Sequence, residues 1–284
     1  MAGGVDLHTH TTSSDGTLRP RELVAEAARR GVRVLAVTDH DSTDGLAEAM
    51  ETAREHPPLT IVPGIEINCD VEGAEIHVLG YCMDYQAAWF QDFCRAQREE
   101  RRARVVRTAE RLAALGLPID VERVFALVQE GSAGRPHIAR VMLERGYVKT
   151  VREAFDKYLA AGRPAHVPRK KLSPEDAVRL LRRAGGVPVF AHPGLADRDA
   201  LIPALVEAGL MGIECYYSEH SPAQRGAYVD LCRQYGLVAT GGSDFHGPSV
   251  RAGALGHPTV PLAVWEALQA KAAEARATAP GQPA

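Results

Sequence analysis

Histidines and carboxylates recur along this chain in short clusters: Asp6-Leu7-His8-Thr9-His10, Asp15, Thr38-Asp39-His40, Glu66, His77, Ala191-His192-Pro193 and Ser243-Asp244-Phe245-His246. Imidazoles and carboxylates without cysteine suit zinc, manganese or iron, whereas an all-oxygen shell would suit magnesium or calcium. His8, His10, Asp15, His40, Glu66, His77, His192, Asp244 and His246 make nine potential ligands. A single tetrahedral site takes about three or four, so two or three divalent ions are implied. His-x-His on a strand sets both rings on one face, because side chains repeat every second residue. His56, His166 and His257 lack such a context and read as surface or hydrogen-bonded residues.

The elements that must position these residues are visible as punctuation. Apolar runs of strand length (Val5–Leu7, Val32–Val37, Thr60–Ile67, Ile76–Tyr81, Val187–Ala191, Gly212–Tyr217, Leu237–Thr240) alternate with helical segments such as Arg21–Arg30 and Pro222–Tyr235. That alternation predicts a parallel α/β fold. Seven strands suit a closed or nearly closed β/α barrel, with an open sheet as the alternative. In such folds the loops after the strands build the site, so the clusters above converge in space.

Between about residues 86 and 171 the rhythm stops, and Arg95–Leu115, Val121–Glu130, His137–Arg145 and Val151–Leu159 read as helices. The expected division is a discontinuous α/β body at 1–85 and 172–275, a helical insertion at 86–171, and a disordered tail at 276–284. A closing helix is expected over Leu262–Ala273. The insertion carries Arg95, Arg98, Arg101, Arg102, Arg104, Arg107 and Arg111 against Glu99, Glu100 and Glu110. This stretch reads as a solvated helix face laced with ion pairs, with Trp89 and Phe90 as core.

Composition narrows the partners. With 33 Lys+Arg against 36 Asp+Glu the chain lacks the basic excess of a protein that coats duplex DNA, so an anionic substrate must be gripped locally. Five cysteines, none in a C-x-x-C pair, fit free thiols in a reducing compartment. No leader-like start and no apolar run of membrane length are visible, so a soluble cytoplasmic protein without a membrane partner is expected.

Taken in order, Asp6-Leu7-His8-Thr9-His10, Ser14-Asp15-Gly16, Thr38-Asp39-His40, Pro63-Gly64-Ile65-Glu66, His77, Ala191-His192-Pro193 and Gly242-Ser243-Asp244-Phe245-His246 resemble the PHP (polymerase and histidinol phosphatase) superfamily of metal-dependent phosphoesterases. The resemblance spans residues 5 to 250. Gly134-Arg135-Pro136-His137-Ile138-Ala139 and Tyr217-Ser218-Glu219-His220 resemble the branch of nucleoside 3',5'-bisphosphate phosphatases and the 5'-to-3' exoribonuclease RNase AM. The resemblance implies a distorted seven-stranded β/α barrel with a trinuclear site of manganese, iron or zinc. His8, His10, Glu66 and Asp244 would hold one ion. Glu66 would bridge to a second on His77 and His192, and Asp15, His40 and His246 would hold the third.

The implied activity is attack by a metal-bound hydroxide on a terminal phosphate of a nucleotide, of AMP or 3',5'-bisphosphate type, or of a short 5'-phosphorylated oligoribonucleotide. The alternatives are a 5'-to-3' exoribonuclease as the main activity, a histidinol-phosphate phosphatase, and a non-catalytic metal-binding module. Arg135 and His137, in a Gly-rich turn entering a helix, are candidate substrate-phosphate contacts. His220 is a candidate substrate contact or proton donor to the leaving oxygen. Asp6 and Asp39 flank ligating histidines and are candidates to accept their remaining ring N–H. Because ligating imidazoles must be neutral, metal binding and activity are expected to fall together below about pH 6.

Overall fold

The computed structural model describes residues 4–72, 74–128, 131–168, 172–248 and 254–279. Seven strands, β1 (Gly4–Asp6), β2 (Val32–Val37), β3 (Thr60–Val71), β4 (Ala74–Tyr81), β5 (Val187–Phe190), β6 (Gly212–Tyr216) and β7 (Val238–Gly241), form one sheet in sequential order. All neighbours pair parallel except β4, which runs antiparallel to both β3 and β5. The expectation of a wholly parallel sheet is corrected here. Only residues 72 and 73 separate β3 from β4, and a parallel pair needs a crossover of about a dozen residues.

The two ends of the sheet meet beyond the paired strands. Leu7 N–H donates to the Gly241 carbonyl at 3.2 Å, and His10 N–H to that of Phe245 at 2.9 Å. Single bonds of this kind, rather than a ladder, link the first and last strands. Gly242 permits the approach, since a Cβ there would lie 2.4 Å from the His8 nitrogen.

Helices fill the connections: α1 (Pro20–Arg29), α2 (Leu46–Ala53), α3 (Ala88–Ala114), α4 (Val121–Ala126), α5 (Arg135–Glu144), α6 (Val151–Ala154), α7 (Pro174–Arg183), α8 (Pro193–Ala196), α9 (Ile202–Glu207), α10 (Pro222–Tyr235) and α11 (Leu262–Ala277). Their ends follow local chemistry. Helix α10 starts where the Ser221 hydroxyl accepts the Gln224 N–H and stops at Gly236, whose φ of +65° is left-handed. Helix α11 continues past Ala273 into the segment expected to be a disordered tail, and Arg182 donates to Thr278 at 2.6 Å just beyond it. The rest of that predicted tail, 280–284, lies outside the described residues, as do 129–130 of the helix predicted to reach Glu130.

Alternation along the strands divides the core. Leu7, Val34, Ala36, Val62 and Val189 pack with Leu268, Ala272 and Ala275 of α11. On the opposite side Ile65, Ile67, Phe190 and Ile213 meet Val178 and Leu181 of α7 and Tyr228 of α10. Phe90 and Cys94, early in α3, join this second group, while Val105 and Leu112 further along pack with Val124, Ile138 and Met142. One helix thus anchors on the sheet and carries the helical segment beyond it. No described helix is long and apolar enough to cross a membrane.

Gly242→Ala should force the end of β7 away from His8, at a cost of about 1–3 kcal/mol. A lowered unfolding temperature together with weaker metal binding is the expected result. A variant indistinguishable from wild type in thermal unfolding would show that the close approach is not required.

Candidate metal centre

Glu66, on β3 and 1% exposed, is the hub of the site. Its Oε2 lies 3.2 Å from His8 Nε2, 3.2 Å from His10 Nε2 and 3.1 Å from His40 Nδ1. Its Oε1 lies 2.7 Å from His77 Nδ1 and 3.2 Å from His192 Nε2. Asp244 Oδ1 completes the first group, 3.4 Å from His8 Nε2 and 3.2 Å from His10 Nε2. Burial opposes the charge on Glu66, but His40, His77 and His8 overcome it and hold the carboxyl well below its ordinary range.

The contacts at Glu66 Oε2 are not hydrogen bonds, whereas His192 Nε2 and Glu66 Oε1 do meet in hydrogen-bond geometry. His8 Nε2, His10 Nε2 and Glu66 Oε2 are buried and have no hydrogen-bond partner, although both ring nitrogens lie 3.2 Å from that oxygen. Donor atoms that converge on a point without bonding one another fit a cation between them. Three such groups occur among the described residues: His8, His10, Glu66 and Asp244; His10, Asp15, His40 and His246; and His40, Glu66 and His77. Imidazole and carboxylate oxygen donors in these groups could hold metal ions.

The outer shell fixes which ring nitrogen points inward. His8 Nδ1 contacts Glu214 at 3.0 and 3.2 Å, so its N–H belongs there and Nε2 is left as a ligand. Glu214 also accepts the His192 backbone N–H at 2.8 Å. His246 Nδ1 donates to the Asp244 carbonyl at 2.8 Å, leaving Nε2 3.2 Å from Asp15 Oδ1. Tyr217 O–H donates to Asp244 Oδ2 at 3.1 Å, which leaves Oδ1 facing the histidines. Asp244 (φ +51°) and His192 (φ +26°) sit in backbone conformations that L-residues seldom adopt, a strain that marks positions held by their surroundings.

Sequence reasoning missed Glu214, Tyr217, Asn68 and Asp41. Glu214 had a signal: it is the lone charge in the apolar run Gly212-Ile213-Glu214-Cys215-Tyr216. Asn68 shares a strand face with Glu66 by the two-residue period, and its amide lies 3.0 Å from His40 Nδ1. The order Ser14-Asp15-Gly16 also has a reason, since a Cβ at Gly16 would lie 2.5 Å from the His10 carbonyl.

A cavity of ≈ 290 Å³ opens over Asp15, His40, Glu66, His77, His192, Asp244 and His246. Arg101, Arg104 and Arg135 line the same cavity. Arg101 is fixed by Asp41 at 2.6 and 2.7 Å, and Arg135 pairs with Glu75. Burial and the neighbouring guanidiniums Arg101 and Arg135 lower the pKa of Arg104. The expectation of a wholly solvated arginine face on α3 is therefore corrected: Arg98 and Arg107 pair with Asp44 and Glu100, but Arg101 and Arg104 are buried and turn to the cavity.

Four expected roles change. His220 accepts the Gly194 N–H at Nε2 (3.2 Å) and contacts the Cys215 carbonyl through Nδ1 (3.1 Å), so both ring nitrogens are engaged by backbone. It holds the turn after His192 and is removed as a candidate proton donor. His137 is buried, and its Nδ1 accepts the Gly134 N–H at 3.1 Å, a cap on α5 rather than a cavity contact. Asp6 accepts the N–H groups of Ser243 and Gly256, each at 2.8 Å. Asp39 accepts from Thr11 N (2.7 Å), Thr11 Oγ1 (2.7 Å) and Ser14 Oγ (2.6 Å). Neither takes a ring N–H directly; Asp39 acts on His10 through Ser14, whose hydroxyl lies 3.3 Å from His10 Nδ1.

Comparison with known proteins agrees with this geometry. The PHP domain matches residues 6–163, more than half of the chain. The chain belongs to the PHP family. A 5'-3' exoribonuclease, Rnm, of Salmonella typhimurium is 37% identical over 249 residues, covering 86% of this chain and 85% of the relative. A 3',5'-nucleoside bisphosphate phosphatase of Chromobacterium violaceum is 33% identical over 277 residues, covering 94% and 97%. A solved structure from Bifidobacterium adolescentis, described as a metal-dependent phosphoesterase, superposes with a TM-score of 0.87 at 31% identity over 95% of this chain and 97% of that one. Membership of the PHP family makes the protein a metal-dependent phosphoester hydrolase.

Glu214→Gln keeps the shape of the side chain but weakens its hold on the His8 N–H. Metal affinity should fall about 10–100-fold with little change in the far-ultraviolet spectrum, read by metal titration. The pH dependence expected from ordinary imidazoles also changes. Burial opposes a proton on His8, but Glu214 and Glu66 outweigh it and push the pKa up to about 10. Burial, aided by His246, pushes His10 down to about 4. A metal ion must therefore displace a proton from His8 across the neutral range, whereas His10 is already unprotonated there. Affinity should therefore go on rising with pH between 6 and 8 instead of levelling off after a step near pH 6. Metal titrations at pH 5, 6, 7 and 8 in weakly coordinating buffers test this, and a flat affinity from 6 to 8 would contradict it.

Proposed function

We propose that this phosphoesterase acts on nucleotides carrying two phosphate groups: a 3',5'-bisphosphate, or the 5'-phosphorylated end of a short oligoribonucleotide. The observation that carries the reading is the placement of Arg101, Arg104 and Arg135 in the same cavity as the candidate metal ligands. Bound divalent ions would neutralise the oxygens of the reacting phosphoryl group and supply water activated near neutral pH. His8, His10, Glu66 and Asp244 would hold one ion, Glu66, His77 and His192 a second, and Asp15, His40 and His246 the third. The ions would be manganese, iron or zinc.

The chain's own residues then divide the work. Glu66 sets the spacing of the groups on either side of it, because its two oxygens face different histidines. Glu214 keeps the His8 ring in the ligating tautomer. Tyr217 aims one oxygen of Asp244. The guanidiniums bind the second, non-reacting phosphate and so orient the ester for attack; the Glu75–Arg135 and Asp41–Arg101 pairs pre-set their positions.

The rivals fit less well. Histidinol phosphate offers an amine where this cavity presents guanidiniums, so like charges would meet. A non-catalytic metal-binding module has no need of buried arginines beside its metals. The relatives from Salmonella and Chromobacterium, named as an exoribonuclease and a bisphosphate phosphatase, support the two-phosphate reading.

A panel with the manganese-loaded protein should show nucleoside 3',5'-bisphosphate and 5'-phosphorylated oligoribonucleotides turned over well, and histidinol phosphate poorly. Arg104→Ala should raise KM for the bisphosphate about tenfold or more, the scale of one lost charge-assisted contact, while metal content is retained. An equal rise for a nucleoside 3'-monophosphate, which has no second phosphate to lose, would remove the arginines from substrate recognition.

A further inference from the structure

Behind the arginines lies a second cavity, of ≈ 330 Å³, within the range of small-molecule sites. Glu75, Arg104 and Arg135 line both cavities, so these three side chains form a common wall. None of the nine candidate metal ligands lines the second one. An anion seated on Arg104 and Arg135 would therefore face the metal centre on one side and this space on the other.

The lining of the second cavity selects among substituents of that anion. Asp70, Glu72 and Glu75 bring carboxylates to it, which disfavours a further phosphate and favours a neutral group rich in N–H and O–H donors. Val71, Ala74, Ala161 and Pro168 provide apolar surface of the kind that covers the face of a flat ring. His166 adds an imidazole, kept neutral by partial burial and by Arg135, Arg104 and Arg111. Hydroxyl and amine donors on a flat aromatic body describe a nucleoside.

We propose that this cavity is a nucleoside subsite, so that the phosphate held by Arg104 and Arg135 can be a diester joining two nucleosides as well as a terminal monoester. The inference rests on the reading of the arginines as the seat of the non-reacting phosphate. It deepens that reading by making a dinucleotide with a free 3'-phosphate a substrate. No chemistry beyond hydrolysis of the 3'-ester is required: water adds to phosphorus, the bond to the 3'-oxygen breaks, and that oxygen takes a proton.

The test compares adenosine 3',5'-bisphosphate with adenylyl-3',5'-adenosine 3'-phosphate, in which the same 5'-phosphate is a diester, by release of inorganic phosphate. The dinucleotide should be dephosphorylated with a KM no higher than that of the bisphosphate. Ala161→Trp, at an exposed position on the rim, should raise the ratio of dinucleotide to bisphosphate KM about tenfold. A bisphosphate that is cleaved beside a dinucleotide that is not, or a ratio unmoved by Ala161→Trp, overturns the subsite alone. Failure to cleave the bisphosphate itself would instead overturn the two-phosphate reading and the subsite with it.

Discussion

A single buried carboxylate constrains this molecule. Glu66 faces five imidazoles, three at one oxygen and two at the other. Those rings come from the segment after β1, the segment after β2, from β4 and from the turn after β5. Each strand must therefore end at the right height and with the right parity for its ring to reach β3. The antiparallel excursion of β4 serves this directly: pairing Asn68 with His77 places His77 across from β3, two residues along from Glu66. A parallel β4 would have needed a crossover helix, and His77 would have arrived from the other direction.

The same carboxylate creates a charge problem that the rest of the site answers. Glu66, Asp15, Asp244 and Glu214 are all buried, and buried carboxylates are tolerated only when paired or bound to cations. The imidazoles hold Glu66 and Asp15 ionised, working against burial. That arrangement repels an anionic substrate unless cations intervene. Metal ions would offset the charge at the floor of the cavity, and Arg101, Arg104 and Arg135 do so along its side. Helix α3 brings two of these three because its first half is fastened to the sheet by Phe90 and Cys94 and its second half to the helical segment by Val105 and Leu112. The arginines sit at the junction, which is why they are buried although their sequence context is highly charged.

Most of the candidate ligand set was legible because its signal is positional: histidine, aspartate or glutamate at the ends of apolar runs, in a chain whose alternation of strands and helices brings such ends together. The strands themselves were legible from apolar runs, apart from the reach of β3 to Val71 and the direction of β4. What stayed hidden depended on long-range contact. Arg101 and Arg104 look no different from Arg98 and Arg107 in a helical repeat, and only the packing of α3 distinguishes them. His220 and His137 look like site histidines, yet both ring nitrogens of His220 are engaged by backbone groups of Gly194 and Cys215, and Nδ1 of His137 by that of Gly134. A lone histidine next to a motif cannot reveal whether its partners are substrate atoms or peptide groups.

The supporting residues show why a motif match alone understates the site. Asp39 bonds the hydroxyls of Thr11 and Ser14, and Ser14 in turn meets His10. Asp6 bonds the Ser243 and Gly256 amides, which sets the loop that carries Asp244. Glu214 ties the His8 ring to the His192 backbone, and His220 braces the turn that follows. Each of these residues fixes an angle rather than supplying a ligand, and each ties one strand-end segment of the site to another part of the sheet. Loss of one would leave the candidate ligands present but their lone pairs misdirected. Because a metal centre discriminates by direction as well as by donor type, the binding strength of this cluster resides as much in these second contacts as in the nine side chains they aim.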